Sequence, residues 1–193
     1  QRTWLNPVLI KTKLVVGGTD KRGGILPWPQ VERQIRNLLG DSDAYVTTMF
    51  DLYALPDSFP GMDRAQDMRP GLERVLFLEE AIDKSVNSSR FRAYLQLHEY
   101  EALLFAYPEG FDVWFEGGGA KVEAQAVQFS SPEDINQGPA THPSKRLEDL
   151  FPGYQKALHG ALIADDAGVG TLVGSCKHFG EWVGWLRSLG TEQ

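Results

Sequence analysis

This sequence of 193 residues has a single cysteine and no long apolar run. Both features limit the classes of protein to which the chain can belong. Cys176 is the only cysteine, which excludes an internal disulfide and favours a reducing, cytoplasmic compartment. No apolar run approaches the roughly 20 residues that span a bilayer, so a membrane partner is not expected. Hydrophobic residues at 42% and charged residues at 23% match an ordinary globular chain.

Basic residues are also in the minority, with 19 Lys and Arg against 26 Asp and Glu and a net charge of −7. This balance disfavours sequence-blind binding of nucleic acid through a broad basic surface. It is compatible with a nuclease, because carboxylates that hold a cation add negative charge of their own.

Hydrophobic patterning predicts strands over 8–16, 45–50 and 91–97, with amphipathic helices from Trp28 and from Leu72. The stretch 45–50 has hardly a polar interruption, which predicts a central strand covered on both faces. After about residue 110 only helices are indicated. The order predicts an α/β fold: a mostly parallel sheet flanked by helices over 1–110, with a helical cap at 111–193 that packs on the core.

Two acidic positions follow predicted strands, Asp51 after the strand at 45–50 and Glu99 after the strand at 91–97. Ligands of open parallel sheets bind beyond the carboxyl ends of the strands, so we expect these carboxylates at one rim. Carboxylate oxygens suit Mg²⁺ or Mn²⁺, which polarise a phosphoryl oxygen and activate water in metal nucleases.

Each carboxylate also has a structural interpretation. Asp51 fits a turn residue, while Glu99 and Glu101 fit first-turn acids of a helix that follows. If the segment from Glu99 to Glu101 is helical, the two acids lie about 200° apart around the axis, and at most one of them faces the site easily. Glu99 is then the preferred ligand, with Glu101 as a reserve ligand or general base.

Cationic residues offer candidate phosphate contacts. Lys145 and Arg146 follow Ser144 at a predicted helix start, where backbone N–H groups attract phosphate. A capped surface helix with solvated charges is an equally good interpretation. Lys21 and Arg22, in a glycine-rich loop that matches no nucleotide-binding motif, carry the same ambiguity.

Three segments together resemble the bacterial domain of unknown function 4276 family. They are Met49–Pro56 with Phe59-Pro60-Gly61, Tyr94–Phe105 with its His-Glu-Tyr-Glu-Ala-Leu-Leu-Phe run, and Pro143–Leu147. Tyr154-Gln155-Lys156 and Cys176–Phe179 with Trp182 fit the C-terminal part of that family.

The resemblance implies a Toprim-like domain, an α/β module that binds Mg²⁺ through acidic residues for phosphodiester chemistry. Asp51 matches the later acidic position of such modules, although Tyr53 stands where their second Asp is expected. It also implies a phage-defence effector controlled by an ABC/AAA-type ATPase partner. By the same resemblance, Gln1 falls at the second strand of the family, so its first strand and first glutamate motif lie outside this sequence.

Two hypotheses follow for the function. The first is a Mg²⁺-dependent nuclease-like effector: Asp51 and Glu99 hold the metal, Glu101 assists, and Lys145 and Arg146 contact a nucleic acid substrate. The second is a non-catalytic Toprim-like subunit that docks on a protein, favoured by the incomplete acidic set. Glycoside hydrolysis by the paired carboxylates is a weaker third interpretation. Homo-oligomerisation stays open in either hypothesis.

Overall fold

The computed structural model describes residues 4–8, 25–135, 138 and 141–190. They form two compact units, one of residues 5–95 and one of residues 96–193 together with 1–4. Strands and helices mix in the chain and its C-terminal part is helical, so the predicted α/β class is confirmed. Most of the strand predicted over 8–16, and the loop with Lys21 and Arg22, lie outside the described residues.

The unit 5–95 combines helices with short strands. Its elements are α1 (Trp28–Leu38), β1 (Val46–Thr47), β2 (Phe50–Asp51), a 3₁₀ turn (Leu52–Ala54), α2 (Met62–Ala65), α3 (Leu72–Val86) and β3 (Phe91–Arg92), with β4 (Leu95–Gln96) at its end. β1 pairs in parallel with β3, and β2 pairs with β4. Helix α1 begins at Trp28 and has Pro29 in its first turn. Proline suits this position because the N–H groups of the first turn have no partner within the helix, and proline has no N–H.

The predicted continuous strand over 45–50 is wrong. Thr48 interrupts it, because its hydroxyl donates to the Tyr94 carbonyl at 3.0 Å and accepts from the Tyr94 N–H at 2.9 Å. Hydrogen bonds of the Thr48 side chain thereby take the place of backbone hydrogen bonds between Thr48 and Tyr94. Tyr45 and Met49 are exposed whereas Val46 is buried, so the segment is covered on one face only.

Helix α3 carries two carboxylates that satisfy strand backbone. Glu79 Oε1 accepts the Leu95 N–H at 2.7 Å, and Asp83 Oδ1 accepts the Ala93 N–H at 2.6 Å. Glu79 is buried, and the hydrogen bond from the Leu95 N–H replaces one that water would make to its carboxylate in the unfolded chain. The side chains behind them form the core of this unit: Val31, Ile35, Phe59, Ala65, Val75, Leu78, Ile82, Tyr94 and Leu95 are all buried.

The unit 96–193 is built from helices and tight turns. It contains 3₁₀ turns (Tyr100–Ala106, Pro108–Val113 and Pro132–Asp134), a π turn (Lys156–Gly160), and the helices α4 (Gly118–Ala126), α5 (Pro143–Leu150), α6 (Ala161–Ser175) and α7 (Lys177–Ser188). Within the described residues no helix is both long and apolar enough to cross a membrane.

Aromatic side chains dominate the core of this second unit. The rings of Phe111 and Phe151 stack with centroids 5.5 Å apart, and Phe115 stacks on Phe151 at 4.4 Å. Helix α4 approaches this core at Gly118, where a Cβ would come within 2.6 Å of the Phe111 carbonyl oxygen. The start of α4 therefore requires glycine. Leu104, Phe105, Val122, Ile135, Leu147, Tyr154 and Ile163 complete the cluster.

Candidate functional site

Two buried glutamates follow β4. The backbone of His98 adopts a left-handed conformation, with φ of 66°, which residues other than glycine rarely do. Glu99 and Glu101 come next and are only 3% and 5% exposed. Burying a carboxylate is costly unless charged or hydrogen-bonding groups face it. The partners of these two side chains, here called the carboxylate pair, therefore define what the site can do.

One oxygen of Glu99 holds the start of α5. Glu99 Oε2 accepts the N–H of Ser144 at 2.9 Å and lies 3.0 Å from His142 Nδ1. Ser144 is in the first turn of α5, where backbone N–H groups have no partner within the helix. Glu99 thus replaces that missing partner, and this oxygen has a structural role.

The other oxygen of Glu99 shares a cation with Glu101. Lys156 Nζ lies 3.7 Å from Glu99 Oε1 and 3.7 Å from Glu101 Oε1. The lysine side chain is 45% exposed, whereas the side chains of the pair are 4% and 7% exposed. Two buried negative charges thus face one positive charge that borders solvent.

The case in which at most one of these acids faces the site easily does not apply. It assumed a helix through both residues, but Glu99 is extended, with φ of −142° and ψ of 156°, and the 3₁₀ turn begins only at Tyr100. The change of backbone conformation between the two acids brings both carboxylates to Lys156.

The environment shifts the pKa values of the pair in opposite directions. For Glu99, burial acts to raise the pKa, but hydrogen bonds from Ser144 and the charges of Lys156 and His142 outweigh it and hold the pKa below its ordinary value. Burial raises the pKa of Glu101 above its ordinary value, and the Glu99 charge adds to this against the opposing Lys156. Divergent pKa values of neighbouring acids are common where one acts as a proton acceptor or donor.

Two tyrosines lie beside the pair. The Tyr100 hydroxyl donates to the Gly160 carbonyl at 3.1 Å, and burial together with the Glu101 charge raises its pKa to about 12. The Tyr154 hydroxyl is buried without a hydrogen-bond partner, 3.1 Å from where a Cβ on Gly160 would lie. Burial and then the charge of Glu101 raise the pKa of Tyr154. The phenol is therefore neutral, and its O–H is a hydrogen-bond donor that has no acceptor.

His142, Ser144 and Glu99 do not form a nucleophilic triad. The Ser144 hydroxyl and Glu99 Oε2 both lie 3.0 Å from the same ring nitrogen, Nδ1 of His142. A proton relay needs the base to use one ring nitrogen for the serine and the other for the acid. Ser144 is also fully buried, so substrate has no access to its hydroxyl.

The other predicted site residues have local roles. Lys145 pairs with Asp149 one helical turn away, on an exposed face. Arg146 donates to the Thr141 carbonyl and to Gln125 Oε1, both at 2.6 Å. These contacts match the structural interpretation of Lys145 and Arg146, and their contact with phosphate stays a prediction.

Asp51 ends β2 in the unit 5–95, where it is half-buried directly before the 3₁₀ turn. Its position at a strand end is as predicted. Glu99 belongs to the other unit, so the expected convergence of Asp51 and Glu99 at one rim stays a prediction.

Sequence reasoning missed Lys156, Tyr154 and His142 as members of the site. They lie far along the chain from Glu99 and Glu101, and no spacing links them to those acids. Only the structure shows the π turn that begins at Lys156. Such turns are rare and often occur at functional sites, so this one directs attention to Lys156.

The donor chemistry of the carboxylate pair fits a divalent cation. Among the described residues no three His, Cys, Asp or Glu side chains are grouped as a metal site. Mg²⁺, however, commonly takes one or two carboxylates and completes its shell with water and substrate phosphates. Glu99 Oε1 and Glu101 Oε1 are the oxygens that would supply that share, and each lies 3.7 Å from the Lys156 ammonium.

Comparison with known proteins identifies the family. No curated protein and no solved structure matches the chain. The model of the family described as a domain of unknown function, DUF4276, matches residues 1–187. The match covers nearly the whole chain, including the carboxylate pair and Lys156, so this protein is a member of the DUF4276 family.

Proposed function

We propose that this protein is a nuclease-like effector that cleaves phosphodiesters with Mg²⁺ or Mn²⁺ at the carboxylate pair. The observation that supports the proposal is the Lys156 ammonium facing both buried carboxylates, which marks a place built for positive charge. When bound there, a divalent cation supplies polarisation of a phosphoryl oxygen and a more acidic water.

The residues of the chain have distinct roles in this proposal. Glu99 offers Oε1 to the cation while Oε2 keeps its bond to Ser144, so the ligand is held rigidly. Glu101 is the second ligand or the general base, and burial raises the pKa of its carboxyl above the ordinary value. Asp51 is proposed as a further ligand because of its position at the end of β2.

The substrate is proposed to be nucleic acid and the partner an ABC/AAA-type ATPase. Lys145 supports the substrate role, because its pair with Asp149 is exposed and exchanges easily for a phosphate. The net charge of −7 argues against tight binding by the chain alone, which is consistent with a partner that delivers the substrate.

The test is a cleavage assay of the full chain with DNA and RNA substrates and Mn²⁺. We expect Glu101→Gln and Asp51→Asn each to lower the cleavage rate at least about a hundredfold, the usual scale for a lost proton-transfer group or ligand. Glu123→Gln is the control, since Glu123 is an exposed carboxylate of α4 whose loss should leave the fold unchanged. Unchanged cleavage by Glu101→Gln would contradict the proposal.

The second candidate is a non-catalytic subunit that binds a protein partner. It is favoured by the local roles of Glu99, Lys145 and Arg146, each of which supports α5. Calorimetric titration with Mn²⁺ separates the two functions. Heat of binding that disappears in a Glu99→Gln, Glu101→Gln double variant supports the enzyme, and no binding supports the non-catalytic subunit.

A further inference from the structure

The carboxylate pair already has a cation supplied by the chain. Lys156 Nζ is equidistant, at 3.7 Å, from Glu99 Oε1 and Glu101 Oε1. These are the same two oxygens that a divalent ion would use, because Glu99 Oε2 is occupied by the Ser144 N–H. A metal ion and the ammonium therefore compete for one place.

The two sides of this contact differ in mobility. Glu99 and Glu101 are buried in the turn after β4, and Glu99 is tied to α5. Lys156 is the first residue of a π turn and its side chain is 45% exposed. The lysine can thus leave for solvent while the carboxylates stay in place.

A second observation points to a ligand at this position. Tyr154 is 8% exposed, and its hydroxyl is buried with no hydrogen-bond partner. An unsatisfied buried hydroxyl costs about 1–3 kcal/mol, which a fold retains when a ligand or its bound water pairs with the group. The hydroxyl lies 3.1 Å from where a Cβ on Gly160 would be, at the end of the π turn that begins with Lys156.

We infer that Lys156 is a built-in competitor of the divalent cation: it offsets part of the negative charge of Glu99 and Glu101 in the metal-free protein and is displaced when the cation binds. This inference rests on the proposed metal function and adds its regulation. Metal affinity is thereby lowered, and the displaced ammonium is available at the solvent edge, where an anionic substrate arrives.

Metal binding to charge-altered variants tests the competition. Calorimetry with Mn²⁺ compares the full chain with Lys156→Met, which keeps the length of the side chain and removes its charge. We expect Lys156→Met to bind Mn²⁺ at least about tenfold more tightly, because the competing charge is gone. Lys156→Arg keeps the charge and should stay within about threefold of the wild type. Lys84→Met, which also removes a lysine paired with a glutamate, is the matched control and should not change the affinity.

A second measurement uses the unaltered protein, so it does not depend on how a variant folds. Lysines are acetylated briefly with and without Mn²⁺, and the rates are read for each residue by mass spectrometry. Displacement predicts that Mn²⁺ raises the rate at Lys156 at least about twofold, since a released ammonium loses its electrostatic protection. Lys84, which pairs with Glu80 on the surface, serves as the internal reference and should not change.

The outcomes separate the inference from the proposed function. Equal or weaker Mn²⁺ binding by Lys156→Met, or no change in Lys156 acetylation, overturns the competition and leaves the metal function standing. Failure of Mn²⁺ to bind both the wild type and Lys156→Met overturns both. Tighter binding by Lys156→Met together with faster acetylation of Lys156 supports the inference.

Discussion

The two units bury carboxylates in different ways, and the difference shows how to recognise a site. In the unit 5–95, Glu79 and Asp83 each accept a strand N–H. In the unit 96–193, Glu133 uses both oxygens on the N–H groups of His178 and Phe179 at the start of α7. Glu99 uses only one oxygen in this way.

The second oxygen of Glu99 and the carboxylate of Glu101 face a lysine that borders solvent. Backbone partners are part of the fold and cannot be exchanged for a ligand. An exposed ammonium can be exchanged. A buried carboxylate is therefore a candidate for function when its partner can leave, and structural when its partners are backbone groups.

The largest expected loss of stability comes from removing a carboxylate that accepts hydrogen bonds from backbone N–H groups. Glu133→Gln removes a charged acceptor from two N–H groups, one of which then meets an amide NH₂. We expect the free energy of unfolding to fall by about 2–4 kcal/mol, at about 1.5–3 kcal/mol for each bond to a charged group. Urea unfolding measures it, with the exposed Glu123→Gln as control. A loss below about 1 kcal/mol would show that the cap at α7 is unimportant.

The two tyrosines beside the pair should respond in opposite directions. Tyr154→Phe removes a buried hydroxyl without a partner and should raise the free energy of unfolding by about 1 kcal/mol. Tyr100→Phe removes the bond to the Gly160 carbonyl and should lower it by about 1 kcal/mol. Thermal unfolding of both variants measures the contrast. A loss of stability in Tyr154→Phe would mean that its hydroxyl already has a partner in the folded protein.

A smaller effect is expected for Glu101→Gln. The raised pKa of Glu101 means that the fold disfavours its charged form, so a neutral amide of the same shape should cost little. We expect the free energy of unfolding to change by less than about 0.5 kcal/mol, as for substitutions away from structural contacts. The comparison with Glu133→Gln in the same urea experiment is decisive: equal losses would place Glu101 among the structural carboxylates.

The smallest expected signal is the reactivity of Cys176. Burial and then the charge of Glu133 raise the pKa of this thiol to about 12, so the reactive thiolate is scarce at pH values well below that. Iodoacetamide at mildly alkaline pH should leave the native chain essentially unmodified and should label it fully in urea. Rapid labelling of the native chain would show that the start of α7 opens frequently.

Periodicity predicted the helices well because an amphipathic stripe is a local property. Helix α1 begins at Trp28 and buries Trp28, Val31 and Ile35 as its spacing predicts. Helix α7, in the region after residue 110 where only helices are indicated, runs over Lys177–Ser188. The strand at 45–50 failed because the pairing of Thr48 with Tyr94 depends on a residue far along the chain.

For the site, local sequence identified Glu99 and Glu101 but not their arrangement. The helical assumption separated them, whereas the extended backbone at Glu99 directs both to Lys156. The helix start at 143–144 was also predicted, but the group that satisfies it is the carboxylate of Glu99 rather than a phosphate. Contacts between side chains that lie far apart along the chain cannot be predicted from the spacing of residues in one sequence.

The sequence alone predicts the α/β class, the membership of the DUF4276 family and the acidic residues that follow β4. These properties depend on composition, spacing and short motifs, all of which are written along the chain. Tertiary structure decided which carboxylate oxygens bond to backbone and which face Lys156. That choice depends on where the first turn of α5 and the π turn pack, because an electrostatic contact is set by distance in space.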